Sequence, residues 1–586
     1  MNFRKYILII LLLIILIVPR LSSLDSFVTI DEPFWLSVGA NYYYALGQHE
    51  LENTVYEYHP AVTTMTFITA AFLSYFPEYR GFGQGYFDVD KEKFDPFLIQ
   101  HGHDPMYLLY LSRLFQVAMI VLFALIIFYL LYHLIGEEKA FLITALTSSA
   151  PFFLGHSRVL SHEAMVAFFV LASIFGMMAY LEHERKWVYL FISAASAALA
   201  QLTKSSAMAM FPVIALILAV SVFEKAKERR LKSALLDHLK IFGIWFAALA
   251  LVYFILWPGM WVAPGKMLYE VYGNAFSYAF QGARLQVTQE LQPSTFSLAV
   301  AGGTIGSFVN SVIWRATPVN WMGILLACIF FFVRGDDKFF TVFKKMAFYL
   351  FVTAVMFILL FSLAQGRNSA HYIMVSHVSM DAIAALGWCV FLQRLGMKWE
   401  TGISSIARPE RTPLSVSKSS RRVKAGGAVL IVSLQLMSAL AFYPYYYTYY
   451  NPIWTMITGR ASASDYGEGF EQAAAYLAQK PNAESLKVFA FRGRGPFSYF
   501  FPGETIILNP LFIEDPGMPS MFERLAQADY LVINDALEPR TKRTALFVQG
   551  LNSVQPEHDI YINGVSTIHI YRIADLPPVF YEMLGK

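Results

Sequence analysis

Asp31 and Glu32 stand side by side shortly after the first apolar run of the chain, Tyr6 to Val18. Carboxylates kept against a membrane are costly, and a retained pair usually has a use. One of them could take a proton from a hydroxyl as a general base. The bland alternative is a solvated loop start or a helix N-cap. A second acid, Glu163, closes the stretch Gly155-His-Ser-Arg-Val-Leu-Ser-His-Glu163, where His156, Arg158 and His162 make an unusually polar link between two apolar segments. A hairpin tip with Arg158 paired to Glu163 would explain it structurally. Zinc is disfavoured, because the two histidines lie six apart with no third evident ligand. Lys204 ends Gln201-Leu-Thr-Lys204, either as a snorkelling lysine or as an ammonium anchor for an anionic headgroup. Arg113, in Leu111-Ser-Arg113, could serve the same end or meet lipid phosphate. His59-Pro60 and the stretch Gly366-Arg367-Asn-Ser-Ala-His371-Tyr372 add further polar groups. Several such groups converging on one side of a membrane are what an active site requires.

The elements that must position them are membrane helices. The 586 residues are 56% hydrophobic and only 15% charged, with Lys+Arg exceeding Asp+Glu by three, whereas soluble domains carry about 25% charge. Only helices or closed barrels satisfy the backbone in lipid, and long apolar runs select helices. Apolar segments lie near 6–19, 108–134, 140–155, 164–181, 187–203, 207–223, 241–257, 319–333, 346–364, 373–392 and 427–443. That predicts about eleven crossings, several shorter than the ~20 residues of a perpendicular span. Two further stretches, 61–76 and 296–313, are apolar but broken by polar or small residues and read as juxtamembrane helices. The first run has a basic start but a poor cleavage site at Val18-Pro19-Arg20, so it reads as a retained signal anchor. Cys328 and Cys389 both fall in apolar runs, which disfavours a disulfide framework.

Charge sets the expected orientation. With Arg4 and Lys5 inside, the basic connections 225–240, 334–345 and 394–425 also fall inside, the last reading as a disordered linker. The first outside loop, about 20–107, is acidic, with twelve Asp/Glu against three Lys/Arg between Asp25 and Asp104. An odd number of crossings leaves the C-terminal part outside, entered through the aromatic run Tyr443 to Tyr450. Two parts are thus expected: 1–443 in the membrane and 444–586 as an extracytoplasmic α/β domain. In the latter, helices near 468–479 and 519–527 alternate with strand-like 486–491, 505–508, 530–533 and 567–573. No internal repeat is present, which weakens a transporter built from duplicated halves.

This arrangement resembles the GT-C superfamily of polyprenyl-phosphate-dependent glycosyltransferases, in the branch of the dolichyl-phosphate-mannose protein mannosyltransferases and the lipid A aminoarabinose transferase. The resemblance rests on Asp31-Glu32 after the first crossing, Glu57-Tyr-His-Pro60, Arg113, Arg158 with Glu163, and Leu202-Thr-Lys204. A late Arg-Tyr motif is matched only in part by His371-Tyr372, leaving His371 or Arg367 in the arginine's place. Tyr450-Asn-Pro and Asp465-Tyr-Gly-Glu-Gly-Phe look like the outer domain of prokaryotic members.

The resemblance implies a GT-C-like fold in a prokaryotic cell membrane, with the N-terminus cytoplasmic and the C-terminal domain outside. It implies transfer of a mannose-like hexose or related pentose from a polyprenyl-phosphate donor to a hydroxyl on protein, lipid or glycan, with inversion. Asp31 would be the base, and Glu32 and Glu163 would orient sugar or acceptor. Lys204, Arg113, Arg367 and His371 would hold the donor phosphate, while His59, Arg158, His162 and Tyr372 would contact substrate. No cofactor or divalent metal is expected, and the partners are lipids and acceptor rather than nucleic acid. The rival reading is a polytopic transporter or lipid flippase without glycosyl transfer.

Overall fold

A computed structural model describes residues 3–56, 59–89, 93–183, 185–227, 230–280, 298–333, 338–364, 368–406, 413–459, 466–508, 520–537, 542–578 and 580. Among them, seven helices are long and apolar enough to cross a membrane, and eight if one bent pair counts as a span. The count of eleven is therefore not met by length and composition. Segment 140–155 shows why: it forms Glu137–Ser148, and after two intervening residues Pro151 opens a short helix Pro151–His156. Twelve residues reach about 18 Å, well short of the ~30 Å hydrocarbon core. The first run, Tyr6–Leu21, and Trp187–Thr203 are also apolar but short.

The centre of the bundle is α1 (His162–Glu182), almost wholly buried in its apolar window and packed against α2 (Trp187–Thr203) and Pro105–Ile135. A helix apolar all round belongs in such a position. Helices Val62–Tyr75 and Leu298–Arg315 form at the predicted juxtamembrane segments. The latter turns by 111° into Pro318–Phe332. That helix in turn lies close against Met374–Ile406, where a Cβ on Gly387 would meet the Gly323 carbonyl. Small residues permit this approach of backbones. The linker expected to be disordered is instead helical up to Ile406 and again from Pro413.

The C-terminal part is a five-stranded sheet, β1 (Lys487–Phe491), β2 (Glu504–Leu508), β3 (Tyr530–Asn534), β4 (His558–Ile562) and β5 (Val565–Arg572), in the order β2-β1-β3-β5-β4. The first three strands are parallel, and β5 runs antiparallel to β3 and β4. Strand β4 and helix Lys542–Leu551 were not legible beforehand, since His558-Asp-Ile-Tyr-Ile is polar at its exposed positions. Alternation divides the sheet: Val488, Ala490 and Val532 join the core shared with the membrane part, while Phe489, Phe491, Leu531 and Ile533 join a second core. Helix Phe470–Ala478 covers the first face through Phe470, Ala473, Ala474 and Leu477, the spacing of one helical stripe.

This domain is fastened to the first loop. Arg494 donates to Asp95 at 2.9 Å, to Ser37 Oγ at 2.6 Å and to the carbonyls of Val89 and Pro33. Tyr499 adds a bond to Asp95 at 3.2 Å. The sheet's face and the loop that carries Asp31 are thereby held together.

Candidate active site

Asp31 precedes helix Glu32–Gly47, but its side chain makes no capping bond. It accepts instead from the Tyr466 hydroxyl at 3.1 Å, and the Ile30 amide donates to the Tyr466 carbonyl at 3.2 Å. The N-cap explanation therefore fails. Gly467 follows with φ +107, and a Cβ there would sit 2.6 Å from the Val28 carbonyl oxygen. Only glycine lets the two segments lie this close. Burial pushes the Asp31 carboxyl above its ordinary value, Glu163 adds to the rise, and His371, Tyr466 and Arg492 oppose it.

Glu32 points the other way and is completely buried. Arg113 donates to both its oxygens, through Nε at 2.7 Å and Nη2 at 2.5 Å. The Leu160 amide, the Thr29 amide and the Thr29 hydroxyl donate as well. Burial alone would raise this carboxyl, but Arg113 and these donors hold it below its ordinary value. Arg113 gives two more donors to the carbonyls of Leu24 and Phe27, so four of its five are committed. A carboxylate has about four lone-pair sites, and Glu32 already receives five donors, so it has no capacity for a sugar; Arg113 is 1% exposed and committed to this pair and two carbonyls. The expectations of Glu32 orienting substrate and Arg113 binding phosphate are corrected: the pair shapes the loop that presents Asp31.

Arg158 is corrected likewise. It does not pair with Glu163 but donates to the carbonyls of Ser22, Ser23 and Pro444, with its guanidinium over the Tyr446 ring. It ties the first loop to the start of the C-terminal part.

Glu163, at the first turn of α1, pairs with Lys204 at 2.5 Å and accepts from Ser161 Oγ at 3.0 Å. Lys204 lies just past the end of α2, in extended backbone. Its ammonium sits 4.7 Å from the Tyr372 ring centre. An ammonium has three donors, so the Glu163 bond leaves it able to bind an anion. His371 stands beside Tyr372, with ring centres 4.4 Å apart, and 5.4 Å from Tyr466. A continuous set thus runs Asp31, Tyr466, His371, Tyr372, Lys204, Glu163. On its flank, Trp35 lies 4.2 Å from the His162 ring and 6.0 Å from His59. Arg367, Glu57, Tyr58 and Asp465 lie outside the described residues.

Sequence reasoning passed over Tyr466 and Trp35 as site residues and gave His156 no role. His156 is 2% exposed, with ring centres 5.8 Å from His371 and 5.3 Å from Tyr466, and its Nδ1 has no hydrogen-bond partner among the described residues. The glycines around Glu468, in Tyr466-Gly-Glu-Gly-Phe470, were the available signal for a tight turn at Tyr466.

Residues 111–257 match the family model described as dolichyl-phosphate-mannose-protein mannosyltransferase; that span includes Arg113, Arg158, Glu163 and Lys204 but not Asp31. A comparison with curated protein sequences finds no match. Among solved structures, the chain is similar to ArnT from Cupriavidus metallidurans bound to undecaprenyl phosphate, at 12% identity over 97% of this chain and 99% of that one, TM-score 0.46. It is similar to the Archaeoglobus fulgidus oligosaccharyltransferase at 12% identity over 89% of this chain and 69% of that one, TM-score 0.38. The S. cerevisiae protein O-mannosyltransferase Pmt1-Pmt2 complex bound to the sugar donor is 18% identical over 45% of this chain and 34% of that one, TM-score 0.35.

Proposed function

We propose that this chain is a multi-pass membrane glycosyltransferase that moves a mannose-like hexose or related pentose from a polyprenyl-phosphate donor to an acceptor hydroxyl, with inversion. The observation that carries this reading is the gathering of a half-buried base, Asp31, and a paired ammonium, Lys204, on opposite sides of one aromatic and histidine cluster. The family match over residues 111–257 supports it. The charge bias of the loops supports a cytoplasmic N-terminus and an extracytoplasmic site, with 1–443 as the membrane part and 444–586 as an outer domain.

In this reaction the acceptor O–H proton passes to Asp31 as the acceptor oxygen bonds to the anomeric carbon. The bond from that carbon to the phosphate oxygen breaks, and polyprenyl phosphate leaves. Lys204 offsets the charge that develops on the phosphate, a fixed charge placed where it is needed; Arg367 and His371 assist it. Glu163 holds Lys204 in position and contacts the sugar edge, with His59, His162 and Tyr372 completing the substrate contacts. The leaving group needs no metal when such cations are present. Transfer is expected to survive EDTA; activity that is abolished by EDTA and restored by manganese would overturn metal independence.

Tyr466 tunes the base. Its hydrogen bond lowers the Asp31 carboxyl against the rise that burial imposes. A base works only when ionised, so the rate falls as pH drops through that raised value, above the ordinary ~4 of aspartate. Tyr466→Phe removes an opposing influence, so the acid limb of the kcat profile is expected to move to higher pH while the high-pH plateau persists. An acid limb that stays in place would exclude this role.

The test of the function is a reconstituted transfer assay with radiolabelled polyprenyl-phosphate sugars. Turnover of at least one donor is expected. Movement of intact lipid across the bilayer without release of polyprenyl phosphate would support the flippase instead.

A further inference from the structure

A second concave site lies beside the proposed catalytic centre, along helix Glu32–Gly47. It is a cavity of about 340 Å³ whose lining includes Tyr42, Tyr56 and Tyr86 together with Glu52, Asn53 and Lys266. We infer that this cavity binds one saccharide unit of the acceptor, so that the acceptor is a glycan or glycolipid; this rests on the glycosyltransferase reading above.

The lining chemistry selects the ligand. Pyranose rings offer C–H faces to aromatic side chains and hydroxyl edges to polar ones, and tyrosine supplies both a face and a hydroxyl. Lys266 spends one donor on the Glu52 carbonyl at 3.0 Å, which leaves two of its three. The Glu52 carboxylate has no hydrogen-bond partner among the described residues and can accept from sugar hydroxyls. The Tyr86 hydroxyl donates to Glu50 at 2.5 Å and accepts from Asn53 at 3.3 Å, which fixes the ring whose face the saccharide would meet. Glu52 and Lys266 offset each other in charge, so the cavity does not favour a phosphorylated donor. Its volume lies at the lower end of the ~300–1,000 Å³ of small-molecule sites, which suits a mono- or disaccharide and not a polyprenyl tail.

Its position sets the role. Helix Glu32–Gly47 begins next to Asp31 and contributes Val38 and Tyr42 to the cavity, about 9–15 Å along the helix from its start. Tyr56 is shared: it lines the cavity and also meets Phe34 and Trp35 edge-on, at 5.3 and 6.2 Å between ring centres. Trp35 then reaches His162, the neighbour of Glu163. A short saccharide seated on Tyr56 and Tyr86 can therefore extend its next unit towards the base.

The experiment uses the full chain in lipid nanodiscs, titrated with mannobiose and chitobiose by saturation-transfer NMR. Tyr86→Ala and Glu52→Gln alter exposed residues outside the catalytic set. Each is expected to weaken disaccharide binding about tenfold and to raise the KM for a saccharide acceptor similarly, with donor hydrolysis unchanged. Equal binding in parent and variants, no disaccharide binding at all, or transfer to peptide acceptors alone would overturn the inference. If the unaltered protein turns over no lipid donor while both variants still lose disaccharide binding, the transferase reading falls and the saccharide site stands.

Discussion

Asp31→Asn is expected to lower sugar transfer by about 10²–10⁴-fold while leaving lipid-donor binding intact. The substitution keeps size and an acceptor oxygen for the Tyr466 hydroxyl, which lies 3.1 Å away, and removes the negative charge and with it the capacity to take a proton. The measurement is single-turnover transfer from a radiolabelled donor beside a direct donor-binding titration. Loss of both together would mean that Asp31 holds the donor and does not act as base. Transfer at the parent rate would remove the base assignment altogether. The raised Asp31 carboxyl matters here, because a base is most useful when its proton affinity approaches the working pH, and burial with Glu163 moves it in that direction.

Arg113→Met is expected to destabilise the protein by about 3–5 kcal/mol, the cost of leaving a buried partner charge uncompensated. Glu32 would be that charge: it is completely buried and receives two of its donors from Arg113. The double replacement Glu32→Leu with Arg113→Met should recover much of the loss, since a buried pair exchanged for apolar groups is often nearly neutral. Thermal unfolding of the parent, Arg113→Met, Glu32→Leu and the double variant in detergent closes the cycle. If the single variant unfolds like the parent, or loses donor binding without losing stability, Arg113 belongs to the substrate site after all.

The order of apolar segments made a polytopic helical protein legible, because burying a backbone in lipid leaves few alternatives. Helices at 61–76 and 296–313 were readable from their apolar composition, and most of the outer sheet from short strand-like runs alternating with helices. Span count was not: a run such as 140–155 is apolar throughout, yet Pro151 starts a new helix and divides it. The linker after Arg394 was misread because charge density suggests disorder, while its residues up to Ile406 continue the preceding helix.

The residue types that could do chemistry, and the apolar runs that carry them, were readable from the sequence alone. Hydropathy and charge act through local composition, and that information is carried along the chain. The partner each side chain takes was decided only by tertiary packing. Glu32 meets Arg113 across 81 positions and the Leu160 amide across 128, while Asp31 meets Tyr466 across 435. Two adjacent acids thereby acquire opposite roles, one saturated by buried donors and the other facing the cluster. A hydrogen bond depends on distance in space, and neighbouring positions in a sequence do not share it.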